Sequence, residues 1–244
     1  MNSMKKKLLA VSLALIMTIS LLPVTASADT VWYSVTGGKI YFDKSTGTIT
    51  SCGDSVTEAI IPSSINGVTV ESIGDRAFYN CCNITNVEIP DSVTSIGINA
   101  FSSCTSLKNI NVDSENKSFS SDNGVLFDKN KTALLFYPAG KLDSSYTIPS
   151  TVKKIENNAF VFCCLTNIEI TKSVTSIDSF AFSDCRSLTS IEIPTGITRI
   201  PYGIFRNCDS LESIEIPNGV KSIEGYAFYN IPVSCIGFVL KATT

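Results

Sequence analysis

Apolar and polar residues alternate in a pattern that returns about every 23 residues along most of the chain. The clearest copy, VTSIDSFAFSDCRSLTSIEIP, runs from Val174 to Pro194. A repeat of this length predicts a solenoid, in which each coil buries its apolar face only against its neighbours. The phenylalanine near the middle of the repeat serves as its marker and recurs at spacings of 23, 59, 22, 23 and 23, at Phe78, Phe101, Phe160, Phe182, Phe205 and Phe228.

Each repeat predicts three segments of structure. The segment 188–194, LTSIEIP, alternates as a β-strand and ends at a proline, which cannot donate to a sheet. A second apolar pair, Val174 and Ile177, predicts a strand in the opposite wall. Phe182 and Cys185 are three residues apart, which predicts a short helical or 3-10 turn. The predicted fold is therefore a β-rich solenoid with short helical turns.

The chain departs from this pattern at its start. Residues 29–56 alternate around the turn sequence at 43–47 and predict an N-terminal β-hairpin cap. A cap is needed because the end of a solenoid would otherwise expose its core to water. The repeat solenoid is then predicted over residues 57–244.

The spacing of 59 in the middle of the chain predicts one enlarged coil, at residues 113–149. Two apolar runs flank residues 128–132 and predict a hairpin that protrudes from the main sheet. We expect its three aromatic residues, Phe127, Phe136 and Tyr137, to be packing residues rather than ligand contacts.

Residues 1–28 predict a secretory signal peptide. Three lysines at 5–7 precede an apolar run at 8–22 and the small-residue motif at 26–28. A retained membrane anchor is the alternative, but it needs about 20 apolar residues, more than this run supplies. We therefore expect cleavage after Ala28, no membrane span after cleavage, and a secreted or cell-surface protein.

Composition excludes several classes of function. Removing three of the 19 basic residues with the leader leaves 16 against 22 acidic ones, a net charge of −6. Nucleic acid is a poor partner for that balance, because phosphate binding depends on clustered Lys and Arg. The chain has no histidine, so it contains no Ser-His or Cys-His nucleophile pair and no His-ligated metal site.

Three repeat phrases, IPDSVTSIGINAFSSC at 89–104, IEITKSVTSIDSFAFSDC at 168–185 and IEIPTGITRIPYGIFRNC at 191–208, resemble the BspA-like leucine-rich repeats of bacterial surface and secreted proteins. The segment GVLFDKNKTALLFYPAGK, at 124–141, is similar to a hairpin-bearing variant of that family. The resemblance implies a curved solenoid with a parallel sheet on its concave side. It also implies surface binding or adhesion, with no catalytic residues and no cofactor.

Nine cysteines raise the question of disulfides. Equivalent side chains in stacked coils would have Cβ atoms about 4.8 Å apart, longer than the about 3.8 Å that a disulfide prefers. Their spacing also lacks the C-x-x-C loop of metal sites, so we expect no bound metal. A buried row of structural thiols is the prediction for the five that lie three residues after a marker phenylalanine: Cys81, Cys104, Cys163, Cys185 and Cys208.

The outward positions of the predicted strands are polar and form the candidate binding residues. A solvated sheet face, a structural spacer without a ligand, and a carboxylate pair for glycoside hydrolysis are the alternatives. We predict no catalytic residue and expect the partner to be an extracellular protein or glycan. The nine candidates, here called the polar strip, are Glu88, Asn109, Asn111, Asn167, Glu169, Ser190, Glu192, Ser213 and Glu215.

Overall fold

A computed structural model of the protein describes residues 29–232, 236 and 237. The predicted signal peptide and Cys235 lie outside the described residues. In the described part of the chain all regular secondary structure is β-strand. The first three strands form an antiparallel meander: β1 (Thr30–Val35), β2 (Gly38–Asp43) and β3 (Thr48–Cys52).

Short strands then follow one another around successive coils. Those before the enlarged coil are β4 (Glu58–Ile60), β5 (Ser64–Ile65), β6 (Val68–Thr69), β7 (Ser72–Ile73), β8 (Asn86–Ile89), β9 (Ser95–Ile96) and β10 (Asn109–Val112). The enlarged coil adds β11 (Phe119–Asp122), β12 (Val125–Asp128) and β13 (Ala133–Phe136). The later coils contain β14 (Ser145–Thr147), β15 (Lys154–Ile155), β16 (Asn167–Glu169), β17 (Ser176–Ile177), β18 (Ser190–Glu192), β19 (Arg199–Ile200), β20 (Ser213–Glu215), β21 (Ser222–Ile223) and β22 (Ile236–Gly237).

Two walls of parallel strands run along the stack. The first wall consists of β4, β8 and β10 and, separately, of β14, β16, β18, β20 and β22. The second wall begins at β3, which pairs with β7, and β7 pairs in turn with β9. The wall resumes at β13, and β15 lies between β13 and β17. Side chains alternate between core and solvent in the first wall, where Ile191 is buried between exposed Ser190 and Glu192. The chain is thus a β-solenoid whose core lies between the walls.

The turn that carries the marker phenylalanine is not helical, so that sequence prediction is wrong. Phe180 and Asp184 both have positive φ angles, 58° and 59°, which interrupt any helical run. Every second backbone N–H of this segment instead donates to the next coil, as Phe182 does to the carbonyl of Ile204 at 3.0 Å. We call this third set of contacts between coils the turn ladder. It satisfies backbone groups that a short helix would leave free at its ends.

The hairpin of the enlarged coil is buried in the stack, so the predicted protrusion is also wrong. Val125 and Phe127 of β12 point into the core of the later coils, whereas Leu126 between them packs into the core of the earlier coils. Alternation along a strand places these side chains on opposite faces. The hairpin therefore forms a partition between two cores. Phe127, Phe136 and Tyr137 are buried packing residues, as expected.

No helix among residues 29–232, 236 and 237 has the length and apolar character needed to cross a membrane.

Candidate binding surface

All nine residues of the polar strip are exposed side chains of the first wall. Each strand presents two of its polar residues outward because the residue between them is buried, as Ile168 is between Asn167 and Glu169. Sequence periodicity therefore identifies the correct face for every member of the strip.

The structure does not bring the nine residues onto one continuous strip. After β10 the chain turns into the hairpin, and the backbone N–H of Ile110 donates to the carbonyl of Gly124 at 2.9 Å. The N–H of Val112 donates to Ser121 Oγ, also at 2.9 Å. These bonds occupy the edge of β10, which consequently does not pair with β14. Glu88, Asn109 and Asn111 form a short N-terminal part, and the other six residues form a separate C-terminal part.

Equivalent residues in the C-terminal part stand directly opposite one another on neighbouring parallel strands. Ser190 pairs in register with Ser213, and Glu192 with Glu215. At the other end, Thr147 Oγ1 donates to Glu169 Oε2 at 2.9 Å. Acceptor oxygens therefore form a row along this wall, with serine hydroxyls in a parallel row beside them.

A depression of about 730 Å³ lies over this C-terminal part. Its charged lining consists of the carboxylates of Glu169, Glu192 and Glu215 and the ammonium group of Lys172. None of these three carboxylates forms an ion pair with a described Lys or Arg. The depression therefore has a negative balance of charge and acceptor groups that a ligand can reach.

Glu88 and Asn111, of the N-terminal part of the polar strip, line a smaller depression of about 310 Å³. Asn111 Nδ2 donates to the side chain of Asn86 at 3.2 Å, so amide groups of two strands are already joined. Exposed Ile60 on β4 adds an apolar side chain to the lining. The lining also contains the carboxylates of Glu88 and Asp113, so this part is acidic like the C-terminal part and differs from it in its amide pair and its exposed isoleucine.

The five aligned cysteines are buried beneath the turn ladder. Cys104, Cys185 and Cys208 donate their thiol hydrogens to the carbonyls of marker residues one coil earlier, at 2.8, 3.0 and 3.1 Å. The sulfur atoms of Cys163 and Cys185 are 3.2 Å apart. Burial raises the pKa of Cys104 to about 12 and also raises that of Cys185. The geometry therefore suits protonated, hydrogen-bonded thiols at Cys104 and Cys185, whereas the contact with Cys185 lowers the pKa of Cys163.

No group of three or more Cys, Asp or Glu side chains is arranged to hold a metal ion in the part of the chain that the structure describes. Sequence reasoning did miss a surface cluster of aromatic residues, in which Tyr202, Tyr226 and Tyr229 are exposed and Phe180 is half-buried. Its signal was present, since these side chains lie just before or after a marker phenylalanine in neighbouring coils.

Comparison with known proteins agrees with this architecture. The pneumococcal vaccine antigen PcpA superposes with a TM-score of 0.63 and 27% identity, over 75% of this chain and 51% of that one. A leucine-rich repeat protein of Eubacterium ventriosum gives 0.54 and 26%, over 73% of this chain and 62% of that one. The chain thus spans less than two thirds of either protein. A leucine-rich cell surface protein of Faecalibacterium prausnitzii, 22% identical with a TM-score of 0.53 over 82% and 86% of the two chains, shares the fold.

None of the curated proteins compared with the chain matches it. A family model for the BspA type leucine-rich repeat region does match, in 6 copies that cover residues 47–126 and 133–243. These residues include both walls, the turn ladder and most of the enlarged coil. The chain therefore belongs to the BspA-type leucine-rich-repeat family of bacterial proteins.

Proposed function

We propose that this protein is an exported, non-enzymatic binding module that recognises an extracellular protein or glycan. Family membership supports a repeat module, and a relative of the same fold is a cell surface protein. The signal-peptide pattern at residues 1–28 supports export. The C-terminal part of the polar strip is the proposed binding surface.

The register of Glu192 opposite Glu215 is the observation that carries this proposal. Like charges at directly opposed positions of neighbouring strands repel each other. A basic partner lying across the row would replace that repulsion by charge-assisted hydrogen bonds. Because the carboxylates of this row form no ion pair with a described Lys or Arg, they are available to such a partner.

The neighbouring polar residues fit a partner with both donors and acceptors. Ser190 and Ser213 carry hydroxyls that can donate or accept, and the amide of Asn167 can do both at once. Ser190 Oγ already donates to Asn167 Oδ1 at 3.3 Å, which leaves the amide hydrogens of Asn167 for a ligand. A polypeptide segment rich in Lys or Arg is therefore the partner class that this surface fits best.

A binding screen of residues 29–244 against extracellular proteins and glycans tests the proposal. The triple variant Glu169→Gln, Glu192→Gln, Glu215→Gln should keep the fold, because these side chains are exposed. Its affinity for a basic partner found in the screen should fall, and the affinity of the unaltered protein should fall at high salt.

A matched control removes three exposed carboxylates outside the polar strip, with Asp54→Asn, Glu71→Gln and Glu115→Gln. This control variant should bind as the unaltered protein does. Unchanged affinity in the strip variant, with loss on altering residues 128–132, would move the site to the hairpin turn. A screen without any saturable ligand would favour the structural-spacer alternative.

Export is tested separately, by mass spectrometry of the protein released or displayed by cells that express the full chain. We expect the exported protein to begin at Asp29. Retention of residues 1–28 on an intracellular product would contradict it.

A further inference from the structure

Four aromatic side chains form a continuous cluster beside the turn ladder. Phe180 contacts Tyr202 with ring centroids 5.3 Å apart and planes inclined by 73°. Tyr226 contacts Tyr202 at 5.3 Å and Tyr229 at 5.4 Å. Together with Arg206 they line a depression of about 210 Å³. We call these five residues the aromatic patch.

The tyrosines of the patch are more exposed than core packing requires. Tyr226 is 56% exposed, Tyr229 53% and Tyr202 38%, whereas the marker Phe205 in the same region is fully buried. Truncating these tyrosines would therefore leave the core covered. Their exposed faces are planar apolar surfaces, and each carries a hydroxyl that can exchange hydrogen bonds with a ligand.

Two of these rings stand on a backbone conformation that recurs from coil to coil, with φ of 56° at Arg76 and 58° at Asn99 in the same place of earlier coils. Phe180 and Tyr226 share one position in their coils and both have φ of 58°, a conformation that bulky residues rarely adopt. The coil between them has Gly203 at this position, and a Cβ there would lie 2.5 Å from the Phe180 ring. Any side chain at Gly203 would therefore displace Phe180. The cluster depends on a glycine that leaves room for it.

Arg206 is the charged residue that lines the depression. The guanidinium of Arg206 lies 6.0 Å from the centroid of the Tyr229 ring, and no described carboxylate forms an ion pair with it. Asp184, whose backbone N–H donates to the carbonyl of Arg206 at 2.7 Å, likewise has no ion pair among the described residues. Its Oδ1 accepts from Asn207 Nδ2 at 2.8 Å. Its Oδ2 accepts from Ser183 Oγ at 2.7 Å, so both carboxylate oxygens are engaged within the protein. The polar groups that line the depression are therefore the Arg206 guanidinium and the tyrosine hydroxyls.

We propose that the aromatic patch binds a neutral pyranose oligosaccharide. The C–H face of a pyranose ring is apolar and packs on an exposed tyrosine face, while its hydroxyls need both donors and acceptors. Arg206 supplies donors, and the tyrosine hydroxyls of the patch supply both donors and acceptors. An acidic glycan would be repelled by the negative balance of the chain after leader removal. This site is distinct from the polar strip in position and in ligand.

The test is calorimetric titration of residues 29–244 with hexasaccharides of glucose, mannose, galactose and N-acetylglucosamine. We expect at least one to bind, with an affinity that about 0.5 M salt leaves unchanged because no ion pair forms. Tyr226→Ala and Tyr229→Ala should each weaken binding about tenfold, as truncation of a buried aromatic contact does. Arg206→Gln should weaken it by a similar factor, since it removes hydrogen bonds from a charged donor.

Tyr79→Ala is the matched control. Tyr79 follows its marker Phe78 as Tyr229 follows Phe228, and it is 51% exposed, so its loss should leave the affinity unchanged. The triple Gln variant of the polar strip should also bind normally, which separates this site from the one proposed above.

Three results would overturn the proposal. The first is the absence of binding to all four hexasaccharides up to about 10 mM, beyond which affinity is negligible. The second is full binding by Tyr226→Ala, Tyr229→Ala and Arg206→Gln variants that circular dichroism shows to be folded. The third is a dimer in solution that Tyr226→Ala dissociates, which would assign the patch to a second copy of the chain.

Discussion

Tyr137 stacks on Phe160 with ring centroids 5.3 Å apart and planes inclined by 20°. Its backbone N–H donates to the carbonyl of Ala159 at 2.7 Å, as the N–H of Phe160 donates to Ala181 at 2.8 Å. Tyr137 therefore occupies the place of the marker phenylalanine in the enlarged coil. It lies 36 residues after Phe101 and 23 before Phe160, which accounts for the interval of 59.

Truncation of Tyr137 should be as damaging as truncation of a marker phenylalanine. We expect Tyr137→Ala to lower the free energy of unfolding by about 3–5 kcal/mol, because a cavity opens where the hairpin meets the later core. Tyr137→Phe keeps the ring and removes only the bond from the hydroxyl to Asp143, 2.9 Å long, so about 0.5–1.5 kcal/mol should be lost. Urea unfolding measures both. Tyr79→Ala is the control, and it should cost little because Tyr79 is exposed. A loss for Tyr137→Ala as small as that of the control would contradict the marker position of Tyr137.

Phe182 tests the stack of marker rings within the later coils. Its ring lies 5.3 Å from that of Phe160 and 5.6 Å from that of Phe205, and it is fully buried. Phe182→Ala should cost about 3–5 kcal/mol in unfolding free energy. Unfolding should also become less cooperative, because neighbouring coils are coupled only through their interfaces. A melting curve identical to that of the unaltered protein would show that the ring does not couple the coils.

The accessibility of thiols distinguishes the buried cysteines from the exposed ones. Cys82 and Cys164 are exposed and should react with a thiol reagent in the folded protein. The five buried, hydrogen-bonded thiols should stay unlabelled until the chain unfolds, since reaction requires an accessible thiolate. Mass spectrometry of peptides labelled before and after denaturation makes the comparison. Disulfides between adjacent coils would contradict the prediction.

Glu224 provides a pH-dependent contact between coils. Its carboxylate accepts from Arg199 Nη1 at 2.6 Å and from the backbone N–H of Tyr202 at 3.0 Å. The bond from Arg199 is the main reason that the pKa of Glu224 lies below its usual value. Because the folded-state pKa is depressed, this stabilisation is present at neutral pH and is lost as the pH falls through that pKa.

Glu224→Gln should therefore destabilise the protein at pH 7, and the loss should shrink as the pH falls through the depressed pKa of Glu224 and the carboxyl group becomes uncharged. Urea unfolding at several pH values measures the difference from the unaltered protein. Glu212→Gln, at another exposed position of the later coils, is the control. If Glu224→Gln lowers the free energy of unfolding by the same amount at every pH, the loss of charge is not its cause.

Local pattern was sufficient to predict the solenoid, its strands and the orientation of most side chains. Alternation with a period of two places Ile191 inside and Glu192 outside wherever the strand pairs. The same alternation predicted exposure of all nine residues of the polar strip. It did not predict the turn ladder, because the spacing of Phe182 and Cys185 also fits a helical turn. Positive φ at Phe180 and Asp184 excludes the helix, and the aromatic residue type of Phe180 does not signal that conformation.

The sequence by itself determined the repeat and the inward or outward direction of side chains, because both depend on residues close together in one coil. Only the tertiary structure decided how coils meet where the repeat is broken. The hairpin is buried because its two faces close two different cores, a contact between residues far apart in sequence. Its bonds to β10 divide the polar strip, and stacking of separate coils assembles the aromatic patch from Phe180, Tyr202 and Tyr226.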